Sequence, residues 1–405
     1  MKRPILIFIS LLALIGFFSI GMSPAEIVEH PRLGTWVTVF TPEKALYSRE
    51  NADKLISYCE ESGIDDIYIQ VYRADKAYYD SSLTDRAEYD KMVRSAGDDL
   101  LPYIIEKAHE KDIKVHAWVN LLSIAQNENA NILKKLGKGV IVLDQYGRTS
   151  MRSGETDELD KYYIRENQLF LEPGDPEVRS YLAGICEEII TKYPGFDGLH
   201  LDYIRYPRVV PLVPGSRFSS HGVSYGYDEA NLGNFKEATG LDAMSMEATR
   251  DNFQKWDDWR RAQITSLVSE ISEKIRPLSP SLEISATTIP SPSLAYLTTF
   301  QEWPTWVYNG HVDYLVAMNY TDDPGLMGIN SAATILPDLE TRVQIGLGAY
   351  LMKDDLGPLK EQLEDLMWLS PSGIVIFSYD EIAGSTELRG FLGKHFSQKP
   401  SERQF

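Results

Sequence analysis

FDGLHLDYI, residues 196–204, is a short apolar run with a turn acid, Asp197, at its start and a second acid, Asp202, inside it near its end. Its length suits a strand better than a helix, and it lacks the polar alternation of a strand with one wet face. A strand buried on both faces belongs to a parallel sheet covered by helices. Before it, PEVRSYLAGICEEIITKY (176–193) reads as an amphipathic helix with Pro176 in its first turn. After it, residues 207–240 are rich in Pro, Gly, Ser and Tyr and read as a long loop, followed by a long helix at roughly 246–276 that Pro277 ends.

The same unit recurs in both directions. Upstream, GTWVTVF (34–40), DIYIQVY (66–72) and KVHAWVNL (114–121) read as strands, with helices over 43–62 and 98–112. Downstream, LEISATTI (282–289), VDYLVAMNY (312–320), RVQIGLGAY (342–350) and GIVIFSYD (373–380) read as strands. Helices are expected near 294–309, 330–340, 358–370 and 384–396. Eight strands alternating with eight helices predict one (β/α)8 TIM barrel, with long βα loops after strands 3 and 4. An open doubly wound sheet is the competing architecture, but TVFTPEKALY after the first strand has no Gly-rich phosphate turn.

The two ends read differently from this body. Lys2 and Arg3, the apolar run Ile5 to Ile20 and the small residues Ser23-Pro24-Ala25 form the pattern of a signal peptide over 1–25. The run is short for a bilayer span, so no permanent membrane span is expected after cleavage. No Cys follows it for lipid attachment. The expectation is an exported protein, periplasmic, extracellular or at the cell surface, with the barrel over 30–396 and a disordered tail over 397–405. A net charge of −19 argues against a nucleic-acid partner. The 23 Tyr suit a sugar cleft, although large barrels bury many aromatics anyway. Cys59 and Cys186 both lie in helical patterns and are expected as buried free thiols; neither a metal nor a cofactor is expected.

Barrel active sites lie at the C-terminal ends of the strands. The strand ends nominate Gln70, Tyr72 and Arg73, then Trp118 and Asn120, then Asp202, Tyr203, Arg205 and Tyr206. Thr287 and Thr288 follow on the fifth strand, then Asn319, Tyr320, Asp322 and Asp323 on the sixth. Tyr350 closes the seventh, and Ser378, Tyr379, Asp380 and Glu381 the eighth. Asp322 and Asp323 also fit an ordinary turn, TDDPG. Asp202 is the sharpest candidate, because an acid in a buried strand needs partners, and period 2 puts His200 on its face.

These segments resemble the glycosyl-hydrolase-like family 10 proteins, exported bacterial barrels. The matching stretches include GTWVTVF, DDIYIQVYRADKAYY, IKVHAWVNL, LEPGDPEVRSYL, FDGLHLDYIRYP, WRRAQITSLVSEISEKIRP, VDYLVAMNY and GIVIFSYDEI, spanning roughly 32–385 in order. The resemblance implies a glycosidase fold and a polysaccharide partner, with peptidoglycan glycan strands lacking stem peptides as the substrate of characterised relatives. Many relatives carry paired acids on the fourth strand, where this chain has Asp202 followed by Tyr203. The strand is also similar to the family 18 chitinase motif, whose general-acid Glu falls here on Ile204. That family's Met-x-Tyr is similar to Met318-Asn319-Tyr320.

Glycoside hydrolysis generally uses two carboxyl groups, unless a 2-acetamido substrate supplies its own nucleophile. Asp202 is expected as one carboxylate, with Asp380 preferred over Asp322 as its partner and Glu172, in LEPGDPE, as a third candidate. If the substrate assists, Asp202 orients the acetamido group together with Tyr320. Tyr72, Trp118, Tyr206 and Tyr379 are candidate stacking platforms, and Gln70, Asn120, Arg205 and Asn319 candidate hydroxyl ligands. Two other classes remain: a non-catalytic glycan-binding barrel, and a metal-dependent hydrolase using His116, His200 and Asp202.

Overall fold

The structure, a computed structural model, describes residues 31–40, 42–152, 166–208 and 223–396. The expected signal peptide and tail lie outside these residues. Eight parallel strands form the core: β1 (Arg32–Val37), β2 (Asp66–Arg73), β3 (Lys114–Asn120), β4 (Gly198–Asp202), β5 (Glu283–Thr288), β6 (Tyr314–Asn319), β7 (Val343–Gly348) and β8 (Gly373–Phe377). Each pairs with the next, and β1 pairs with both β2 and β8, so the sheet closes as a (β/α)8 barrel. No helix among the described residues is long and apolar enough to cross a membrane.

Alternation along each strand separates two hydrophobic populations. Ile67, Ile69, Val115, Ala117, Val119, Leu199 and Leu201 face outward and join the large cluster beneath the helices. Trp36, Tyr68, Trp118, Tyr314, Val316 and Val375 form a separate cluster inside the barrel. Such large rings fit only because facing positions are small: a Cβ on Gly346 would lie 2.9 Å from the Trp36 ring. Cys59 and Cys186 are buried free thiols on different helices, and burial pushes the Cys186 thiol up to about 12.

The connections depart from the sequence expectation at several points. A helix at Ala87–Ala96 precedes the one expected over 98–112, which runs Leu100–His109. Within the expected 207–240 loop, Glu229–Thr239 is helical, started by the Asp228 carboxylate, which accepts from Asn231 N, and stopped at Gly240. The helix near 330–340 instead occupies Pro324–Thr334, because Asp323 caps it and Pro324 opens it. The helix near 294–309 is two pieces, Pro292–Thr298 and Trp303–Tyr308. Strand β8 ends at Phe377, and the helix Tyr379–Gly384 begins at once, ahead of Thr386–Phe396. The loop after β3 carries the antiparallel pair Ser123–Ala125 with Leu169–Phe170 and a short helix, Asn131–Leu136.

Candidate active site

The barrel interior is polar in layers, and register fixes the layers. β3 and β4 align His116 with Gly198, Trp118 with His200, and Asn120 with Asp202. At the strand starts, His116 Nε2 bonds Asp66 Oδ1 at 2.8 Å and Arg32 pairs with the same carboxylate. In the middle, Trp36 Nε1 donates to His200 Nε2 at 3.1 Å, so His200 carries its proton on Nδ1 and donates to Ser285 Oγ at 2.8 Å. Burial drives the His200 pKa well below its usual value, and this ring is neutral. At the top, Asp202 opens onto the barrel mouth.

Asp202 is 4% exposed and accepts four hydrogen bonds. Oδ2 takes Trp118 Nε1 at 3.1 Å and Asn120 Nδ2 at 2.9 Å. Oδ1 takes Thr287 Oγ1 at 2.6 Å and its neighbour's amide, Tyr203 N, at 2.7 Å. Tyr203 makes this possible with a left-handed φ of 53°, which curls the chain back over the carboxylate. Burial raises the Asp202 pKa, and the donors from Thr287, Tyr203 and Trp118 pull it part of the way back. Three of the four donors are fixed N–H groups, whereas the Thr287 hydroxyl can rotate. The carboxyl can therefore take up a proton without orphaning a donor, since Thr287 turns to accept.

Asp202 forms the floor of a cavity of about 170 Å³. Trp36, Phe40, Gln70, Arg73, Trp118, Asn120, Tyr203, Thr287, Met318, Tyr320 and Phe377 complete its lining. A second, more polar cavity of about 340 Å³ adjoins it, lined by Arg73, Asn120, Ser123, Gln126, Asn167, Gln168 and Tyr203 among others. Arg73, Asn120 and Tyr203 are common to both, so the two form one groove across the mouth. Among the described lining residues, Asp202 is the only carboxyl group.

Of the residues nominated from sequence, Gln70, Arg73, Trp118, Asn120, Asp202, Tyr203 and Tyr320 meet at the groove. Tyr350 stands at the rim, 43% exposed, edge-on to Tyr320 and Phe377. The others lie elsewhere. A bulge sets Gln70 and Tyr72 of β2 against the consecutive residues Trp118 and Val119 of β3, so Tyr72 turns outward and bonds Asp75 at 2.9 Å. Asn319 faces the helices, where its amide donates to Met327 O and Ser331 Oγ. His200 is one layer too deep, and Arg205 is paired with Glu166 at 2.7 Å. Tyr379 is buried on the helix side beside Cys59 and Tyr58. Asp380 sits on the first turn of its helix and accepts from Ser378 Oγ at 2.8 Å, and Asp322 is exposed; neither lines the groove. Ile204, at the family 18 general-acid position, is fully buried. Thr287, nominated at the end of the fifth strand, also lines the groove, whereas Trp36, Phe40, Met318 and Phe377 went unnominated as site residues; their available signal was inner-face parity at strand ends.

Glu172 is not at the mouth either. It is fully buried, accepts from Gly174 N at 2.8 Å and from the Tyr206 hydroxyl, and faces the Asp228 carboxylate. Burial and Asp228 hold its pKa well above the usual range, so it stays protonated and donates to Asp228. Tyr206 is thereby a fixed core residue rather than a sugar platform. A folded-state pKa raised above the unfolded value favours the protonated fold. That contribution is complete below the unfolded pKa and is lost as pH rises through the folded one. Glu172→Gln, which keeps a donor toward Asp228, is expected to cost only about 1 kcal/mol. Melting temperatures measured as pH rises from the ordinary carboxyl range upward should fall less steeply for the variant than for the wild type.

The residues do not support the metal reading. His116, His200 and Asp202 belong to three separate layers, each bonded to different partners. Asp66, His116 and Glu283 do approach one another at the strand starts, but Arg32 and Lys114 already neutralise the two acids there.

The fold and site thus define a (β/α)8 barrel of the kind seen in glycoside hydrolases, with a buried acid at the C-terminal mouth. The chain belongs to the glycosyl hydrolase-like 10 family, whose profile matches residues 32–328. It is similar to glycosyl hydrolase YngK of Bacillus subtilis, 25% identical over 75% of this chain and 56% of that protein. It is also similar to glycosyl hydrolase DigH of Escherichia coli K12, 23% identical over 66% of this chain and 57% of that protein. The chain therefore spans little more than half the length of these relatives. Among solved structures, the PgaB (BpsB) glycoside hydrolase domain of Bordetella bronchiseptica has a TM-score of 0.64 at 14% identity, covering 89% of this chain and 98% of that one. The catalytic domain of a Paenibacillus polymyxa β-amylase follows at 0.56 and 10% identity, covering 91% of this chain and 98% of that one. At these identities the structural likeness speaks for the fold alone.

Proposed function

We propose that the protein is an exported glycosidase that hydrolyses O-glycosidic bonds in an amino-sugar polymer, with peptide-free peptidoglycan strands as the substrate class. One observation carries the reading: Asp202, the single carboxyl among the described residues that line the aromatic groove, is buried at its floor and held by four donors. Family membership supports the glycan chemistry, and the N-terminal pattern supports export.

One carboxyl can serve where the substrate brings the nucleophile. Protonated Asp202 gives its proton to the leaving glycosidic oxygen as the C1–O bond breaks. The oxygen of the 2-acetamido group attacks C1 from the other face and closes a cyclic oxazolinium. Water then attacks C1, the ring reopens to the acetamide, and Asp202 takes the water's proton. Burial suits Asp202 to the first step by raising its pKa. Tyr320, whose own pKa is driven up by burial and by the Asp202 charge, stays protonated and supplies a hydroxyl beside the acetamido position.

The test compares a fully N-acetylated glycan with the same polymer after chemical de-N-acetylation, reading new reducing ends. Cleavage of the first with a rate at least about 10²-fold lower on the second is expected, because the internal nucleophile is gone. Equal rates on both would reject substrate assistance. Binding of the acetylated glycan with no turnover would favour the non-catalytic barrel.

A further inference from the structure

Arg73 is set into the groove by a turn built for it, and among the described residues it has no acidic partner. The β2 bulge that sends Tyr72 outward sends Arg73 toward the mouth, where it lines both cavities. The chain then reverses at once: Tyr72 and Arg73 pair antiparallel with Ala77 and Lys76. The two turn residues, Ala74 and Asp75, both have left-handed φ, 56° and 55°. Such a two-residue hairpin normally uses Asn or Gly, and an Ala there is strained. The surroundings hold it. Asp75 is fully buried; its Oδ1 accepts from Tyr72, Tyr181 and Thr84 hydroxyls, each at 2.9 Å, and its Oδ2 from Ile132 N at 2.8 Å. Asn127 Nδ2 donates to Ala74 O at 2.8 Å.

This preorganised turn presents a guanidinium that lies 4.7 Å from the Phe40 ring centroid. No carboxylate among the described residues pairs with it. The cavity it shares with Asn120, Ser123, Gln126, Asn167, Gln168 and Tyr203 contains amides and hydroxyls but no described acid. In a chain of net charge −19, this is a local inversion of sign at the substrate groove. A planar guanidinium facing a neutral, donor-rich wall is matched to a carboxylate.

We propose that Arg73 is a specificity residue that binds a carboxylate on the sugar next to the one cleaved, so that the preferred substrate is an acidic amino-sugar glycan. This rests on the proposed glycosidase reading and narrows it. The carboxylate can come from an ether-linked acid on the amino sugar or from a uronate in the polymer, and the substrates separate these.

The experiment measures kcat/KM for N-acetylated glycans of both kinds, each against its carboxyl-reduced counterpart. For the wild type, one acidic glycan is expected to exceed its reduced form by about 10- to 100-fold, the range of a charge-assisted bidentate contact. In Arg73→Gln that ratio should collapse to about 1, with Arg73→Lys in between. Which glycan shows the preference names the source of the carboxylate. A wild-type ratio near 1 for both glycans, or the same ratio in Arg73→Gln, overturns the proposal. Calorimetric binding of each glycan pair reads the same ratio without turnover. A glycan that binds with the Arg73-dependent preference but is never cut would therefore count against the glycosidase reading and not against this one. Equal affinities of wild type and Arg73→Gln for the acidic glycans would reject it on that readout as well.

Discussion

Asp202→Asn is expected to lower glycan hydrolysis by about 10³-fold or more while leaving a folded protein, since loss of a positioned general acid costs up to about 10⁴-fold. The fold should survive because the substitution is isosteric and removes a charge that burial disfavours. Its cost comes from the donors. The asparagine amide has one acceptor oxygen, so it can serve either Trp118 and Asn120 or Thr287 and Tyr203. Facing its NH2 toward Thr287 is the cheaper choice, because that hydroxyl rotates to accept and only Tyr203 N–H loses its partner. One orphaned buried donor costs about 1–3 kcal/mol, offset in part by the lost charge. Reducing-end release together with a melting curve reads both halves. Wild-type kcat/KM should also fall as pH rises through the raised Asp202 pKa, since the proton donor is then lost. Turnover by the asparagine variant within about tenfold of wild type would remove Asp202 from the chemistry.

Gly198→Ala should be among the most destabilising single-methyl changes in the chain, at about 3 kcal/mol. Gly198 faces inward at the start of β4, in register with His116. A Cβ there would stand 2.1 Å from His116 Nδ1 and 2.8 Å from the Glu283 carbonyl oxygen. Neither neighbour can move cheaply. His116 is fully buried, stacked on Tyr68 at 4.7 Å and bonded to Asp66, and the carbonyl is barrel backbone. Any relief shifts β4 itself, which also carries His200 and Asp202. A denaturant midpoint measures the loss, and residual enzyme should show a lower kcat on the same glycan. A midpoint within about 0.5 kcal/mol of wild type would mean that the barrel interior is looser than its contacts indicate.

The site was legible in sequence where strand periodicity alone governs orientation. Asp202 and His200 share a face because both lie on β4 two residues apart. The same rule, applied strictly, separates Tyr320 from Asn319, and inner-face parity marks Trp36 and Phe377, apolar residues that a search for polar strand ends passes over. It fails at β2, where the bulge reverses parity after Gln70, turning Tyr72 out and Arg73 in. A bulge costs one unpaired residue and leaves little trace in composition. Asp380 misleads for a related reason: FSYD reads as a strand end, but β8 stops at Phe377 and the acid falls on a helix turn.

The order of apolar strands and amphipathic helices was enough to specify a closed barrel, because burial on both faces and short connections leave few other ways to cover eight such strands. The same pattern placed one acid at the barrel's mouth. Only the tertiary structure decided what that acid can do. Its four donors come from β3, the residue after β4, and β5, and its low exposure comes from rings on β1, β3 and β8 and from Tyr320 just after β6. Protonation and ligand choice depend on distances between groups far apart in sequence, and those distances exist only once the sheet has closed.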